Sequence, residues 1–117
     1  MITLEQLLVI VPLSDAERRK IFTQVGKMNL AQRSMVYETC WNSLKKDFDS
    51  KFKVQAEEIL QNRRLSEVAK EEDIQALAGS IIGKYVVKLA EVDKQVKRSE
   101  TVAVQIFKDL IQRLILD

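Results

Sequence analysis

The chain is 117 residues long, room for one domain and not comfortably for two. With 46% hydrophobic and 31% charged residues, it has enough apolar surface to offset the entropy of ordering, which excludes a disordered tail. Nineteen Lys and Arg against 17 Asp and Glu leave a formal charge of +2, with one cysteine, one proline and no histidine, so triads built on Ser-His or Cys-His, Cys/His zinc sites and Glu-x-x-His di-iron sites are all excluded.

Scarce glycine and proline, with long tracts of Leu, Lys, Glu, Gln and Ala, predict an all-α protein. Three helix starts carry a capping residue with Glu or Gln three positions on: Thr3 with Gln6, Ser14 with Glu17, and Asn29 with Gln32. That spacing lets the two side chains satisfy each other's free backbone N–H groups. Pro12 closes the first helix, predicted over 3–11, because its ring clashes with a continuing helix. The second, over 14–26, is expected to end in a left-handed turn at Gly26.

From Leu30 one face recurs at steps of three and four: Tyr37, Trp41, Leu44, Phe48, Phe52, Ala56 and Ile59. Beside it runs Lys45, Asp49, Lys53, Glu57, whose alternating sign at i,i+4 favours a continuous helix. Arg63 and Arg64 suit the negative end of the helix dipole, so the third helix is placed over 30–64. Ser66 with Glu67 starts the fourth, with a second possible start near Asp73. Its stripe is Ile74, Ala78, Ile81, Tyr85, Leu89, Val92 and Val96, which carries it to residue 98. Both stripes repeat at about 3.67 residues per turn, so the two helices should pack side by side with little supercoil. Residues 100–116 form a fifth helix, apolar over most of its circumference, a property of helices covered on several sides.

A globule of this length would have a radius of gyration of roughly 13 Å, whereas a straight helix over 30–64 would be about 50 Å long. Either that helix bends, for example near Asp49–Ser50, or the molecule is elongated. The fold class expected is therefore an all-α, elongated bundle of about five helices (3–11, 14–26, 30–64, 66–98, 100–116) built on a long antiparallel pair. A single domain would comprise an N-terminal hairpin (1–28), the long pair (29–98) and the apolar C-terminal helix (99–117).

Two features stand out as candidate sites. Gly79 and Gly83 lie inside a helix, where each costs about 1 kcal/mol relative to Ala, and they mark a candidate for close helix packing, within the chain or against another subunit. Phe107, Leu110, Ile111, Leu114 and Ile115 are a candidate homodimer interface on the over-apolar last helix. Cys40, beside Trp41, reads as a small buried apolar residue. A lone cysteine fits a reducing compartment, so a cytoplasmic location is expected. The apolar run Leu7–Val11 lacks a basic leader and a small-residue cleavage site, and no stretch is long enough to span a bilayer.

The function expected is a non-catalytic protein–protein interaction or assembly module that self-associates, with no cofactor and no metal. The alternative is a regulatory or nucleic-acid-binding protein that gathers Arg18, Arg19, Lys20, Arg33, Lys45 and Lys46 on one surface. Acids interleave with these clusters, whereas phosphate-tracking surfaces concentrate positive charge, so nucleic acid takes second place to protein.

Overall fold

The computed structural model describes residues 1–117 and contains six helices and no strand. They are α1 (Leu4–Ile10), α2 (Asp15–Val25), α3 (Leu30–Gln61), α4 (Glu67–Ala90), α5 (Lys94–Arg98) and α6 (Glu100–Ile111), the last running into a π-helical turn, Gln112–Leu116. No helix is long and apolar enough to cross a membrane.

The capping residues act as their spacing demands. Thr3 with Gln6 and Asn29 with Gln32 form complete reciprocal boxes. Ser14 accepts from the Glu17 N–H, but the Glu17 carboxylate takes the Ser14 hydroxyl instead of the backbone. Ahead of Pro12 the backbone turns extended at Val11, as the clash with the proline ring requires. Gly26 departs from expectation: it stays right-handed at φ −64°, and no residue in the chain has positive φ. The chain leaves α2 through a tightened last turn, Lys27 N–H to Gln24 C=O and Met28 N–H to Val25 C=O, so glycine's freedom is not used there.

The 32-residue α3 is continuous through Asp49 and Ser50 and so about 48 Å long. The conflict between helix length and compactness is resolved by elongation, with a radius of gyration of 16.2 Å and extents of 55 × 28 × 25 Å. A five-residue connection, Asn62 to Ser66, returns the chain into α4, which packs antiparallel along α3. Asn62 makes that stop three residues before the predicted one: its side-chain oxygen accepts from the Arg64 N–H at 3.0 Å. Ser66 caps α4, which runs unbroken past Asp73. The alternating stripe Lys45, Asp49, Lys53, Glu57 closes no ion pair; the i,i+4 bridge on α3 is Lys51 to Asp47 at 2.9 Å.

The predicted fourth helix divides in two. It ends at Ala90, and after a turn the separate α5 begins behind Asp93, whose carboxylate accepts from the Gln95 and Val96 N–H groups. The other Asp93 oxygen accepts from the Gln6 amide at 3.0 Å, while the carbonyl end of Gln6 completes the α1 capping box. One glutamine thus ties the start of α1 to the start of α5. These bonds hold the Asp93 carboxyl below its ordinary range, that of Gln6 contributing most. Val92, placed on the inner stripe by periodicity, is 68% exposed, while Val96 is turned back into the core.

One cluster of 19 buried apolar residues joins the helices, from Ile2, Leu7 and Leu8 through Trp41, Leu44 and Phe48 to Ile82, Leu89, Leu110 and Leu114. The apolar N-terminal segment and the C-terminal helix enter this same cluster. The Tyr37 hydroxyl donates to the Ile2 carbonyl at 2.9 Å, and Tyr37 packs edge-on against Trp41. Beyond Phe48 and Ile81 the long pair projects as a two-helix tip in which Ala56 alone is buried.

Candidate functional site

α2, 11 residues long, exposes almost its whole surface, with only Val25 buried. Arginine side chains fasten it at both ends. The Arg18 guanidinium donates from Nε to the Leu8 carbonyl at 2.9 Å and from Nη2 to the Val11 and Leu13 carbonyls at 3.0 and 3.2 Å. The Leu8 carbonyl is one of those a helix end leaves without an internal partner, so Arg18 both caps α1 and fastens α2 across the turn. At the other end Arg33 reaches from α3 to the Val25 carbonyl at 3.2 Å and to Glu5 at 2.7 Å. Its hydrogen bond lowers the Glu5 carboxyl below the ordinary range.

Fixed in this way, α2 forms one wall of a groove of about 380 Å³ against α3. Val11 and Leu13 close one end, Ile21 and Met28 come from the α2 side, and Met35, Val36 and Cys40 from α3; Gln24, Thr39 and Ser43 complete the lining. No lining residue is charged, in a chain where 31% of residues are. Met35 is 72% exposed on the lip, whereas Cys40 is buried at the floor with its thiol pushed up by desolvation, the environment of an inert, structural cysteine. Composition and periodicity had placed Cys40 inside but gave no sign of the groove. The signal that could have found it is the polarity of α2, too little apolar surface to seal its own side of the core.

The sequence-predicted interface on the last helix is divided by the fold. Leu110 and Leu114 are fully buried in the chain's own core, Phe107 and Ile111 are half-buried, and Ile115 is 44% exposed. An apolar arc on a helix does not say which part faces its own bundle, and here α4 and α3 take most of it. The glycines depart from expectation too. A Cβ built on Gly79 would meet only the tip of Phe107 at 3.9 Å, and one on Gly83 would meet nothing within 4 Å. No neighbouring backbone approaches either, so the close internal packing they suggested is absent. Val87, one turn after Gly83 on α4, and Val104, one turn before Phe107 on α6, are both exposed.

The basic residues also go separate ways. Arg18 and Arg33 are engaged internally as described, and Lys45 and Lys46, being consecutive on α3, project about 100° apart. Between α3 and α4, the Tyr85 hydroxyl donates to Asp47 Oδ2 at 2.6 Å, with Lys51 Nζ 2.9 Å from the same oxygen and 5.4 Å from the Tyr85 ring centre. Burial and the Asp47 charge push the Tyr85 hydroxyl far above its ordinary range. No three Cys, Asp or Glu side chains come together in a metal-holding cluster.

Compared with known proteins, the chain matches no family model, and neither a curated protein nor a solved structure is significantly similar to it.

Proposed function

We propose that the protein is a non-catalytic docking module that receives an apolar helix of a protein partner in the groove between α2 and α3. The observation that carries this reading is the uncharged lining in a highly charged chain. Such a surface offers no charge for a polar ligand to pair with, and it would leave any charged anchor desolvated and unpaired. The occupant is therefore an amphipathic helix whose docking face is uncharged and bulky. Met28 and Met35 suit this role, because unbranched thioether side chains re-pack around different anchors. From Met35 to Ser43 the α3 wall rises about 12 Å, two helical turns, which accommodates apolar anchors at i, i+4 and i+7.

The test is selection of helical peptides from a display library on the wild-type protein, with counter-selection on Met35→Glu. Enriched peptides are expected to share bulky apolar residues at those spacings and to bind the variant at least about tenfold more weakly, a loss typical of a central anchor contact. No enrichment, or equal binding to the variant, overturns the reading.

A second reading is favoured by Gly83, whose cost nothing inside the chain offsets. With Val87 exposed one turn further along α4 and Val104 exposed on α6, which packs on α4, the α4–α6 face would pair with a second copy of the chain. Light scattering at tens of micromolar should then give a dimer that Gly83→Leu disrupts; a monomer removes this reading and leaves the first untouched.

A further inference from the structure

We propose that the pocket between α3 and α4 beside Tyr85 binds a small phosphate-monoester dianion through Lys84 and Lys88. The pocket is about 220 Å³ and shares no lining residue with the groove. Three lysines line it, Lys51, Lys84 and Lys88, against one carboxylate, Asp47. The remaining charged residues of the chain balance, 16 cations to 16 acids, so the surplus within this one pocket equals the formal +2 of the whole molecule.

The lysines are not equivalent. Lys51 is paired, and Asp47 Oδ2 already carries both its ammonium and the Tyr85 hydroxyl. Lys84 and Lys88 take part in none of the ion pairs of the fold, although one lies a single turn after the other on α4. Like charges at i,i+4 repel, and no carboxylate in the pocket is free to separate them. A dianion between the two ammonium groups matches their charge and removes that repulsion. Ile10, Pro12 and Ile81 add an apolar lining to the pocket, and Gln55 adds an amide. The apolar lining suits the organic part of a phosphate ester, while Asp47 spends one oxygen on Tyr85 and Lys51 and forms no ion pair with Lys84 or Lys88.

The experiment is a two-dimensional ¹H–¹⁵N titration at constant ionic strength, with inorganic phosphate and phenyl phosphate as probes. Saturable shifts confined to amides around Ile10, Asp47, Lys51, Tyr85 and Lys88 are expected, with a dissociation constant on the order of 1 mM. Tighter binding of phenyl phosphate identifies an ester that uses the apolar lining; equal binding identifies the phosphate group alone, and either outcome supports the site. Lys84→Gln/Lys88→Gln, both exposed and outside every ion pair of the fold, should keep the fold and weaken binding about tenfold or more. Asp47→Asn, which removes the one negative charge, should strengthen it. The proposal fails if neither probe gives a saturable shift by about 10 mM. It fails equally if the shifts are reproduced by potassium chloride, as general screening would do, or persist undiminished in the double variant.

Discussion

Arg18→Ala should cost far more than the loss of a surface cation, because the guanidinium is the fastening between α1, α2 and their turn. Its three bonds to backbone carbonyls measure 2.9, 3.0 and 3.2 Å, and the side chain is only 17% exposed. Hydrogen bonds from charged donors contribute about 1.5–3 kcal/mol each, which sets an upper bound of several kcal/mol. Two effects reduce it. The carbonyls are only part-buried, so water replaces some of the lost bonds, and alanine is spared the roughly 2 kcal/mol of rotamer entropy that ordering the arginine costs. Asp15 adds little, being 90% exposed. The net loss expected is about 2–3 kcal/mol, a substantial part of the 5–15 kcal/mol typical of a domain. Urea denaturation measures it as a fall in midpoint. Hydrogen exchange should localise it, with α2 amides losing protection well before those of α3 and α4, since only Arg33 and the buried Val25, both at its far end, would still tie it down. Arg18→Lys keeps the charge but can serve only one or two of the carbonyls, and should recover about half the loss. A cost below about 0.5 kcal/mol with unchanged exchange in α2 would refute the assignment. Peptides selected on the groove should also lose binding to Arg18→Ala, because the wall they rest on is released.

Leu110→Ala and Leu114→Ala should each destabilise by about 2–5 kcal/mol, as core truncations do, while Ile115→Ser should change the denaturation midpoint by less than about 0.5 kcal/mol; equal costs would return the last helix to the role of an interface. Gly83→Ala should stabilise the chain by about 0.4–1 kcal/mol, seen as a higher melting temperature, because the position is helical and a methyl meets nothing within 4 Å. Gly79→Ala should gain less, having Phe107 to accommodate. In the folded chain, burial raises the Asp47 carboxyl, but hydrogen bonds from Tyr85 and Lys51 and the charges of Lys51 and Lys88 outweigh it, leaving it below the ordinary 3.8. Its stabilisation is therefore present above pH 3.8 and lost as pH falls toward the folded value, so Asp47→Asn should flatten the acid limb of the stability curve. Tyr85 has the opposite sign: its folded value lies above the ordinary 10.0, so its contribution is present below pH 10.0 and lost above it, and Tyr85→Phe should flatten the alkaline limb.

What could be read from the chain alone was whatever depends on residues three or four apart. The capping boxes at Thr3–Gln6 and Asn29–Gln32, the stop before Pro12 and the inward stripe through Trp41, Leu44 and Phe48 are local relations, and a helix holds such residues adjacent whatever surrounds it. Asp93 was legible in part, as a residue type that favours caps; but no Glu or Gln follows at Val96 to complete a box, and its second partner, Gln6, lies 87 positions away. The last helix shows the limit most plainly. Leu110, Leu114 and Ile115 are chemically alike, and only the placement of α3 and α4 beside them decides that two are core and one is surface. The same holds for the candidate sites. Residues 11 to 43 line the groove and residues 10 to 88 the lysine pocket, and side chains so far apart in the chain meet only where helix packing brings them. Composition and periodicity determined that this chain is a long helical pair with capped, apolar-faced helices, because those properties follow from backbone geometry and solvent. Which apolar residues were left uncovered, and which charges left unpaired, was decided only by the tertiary structure, because both depend on what packs alongside.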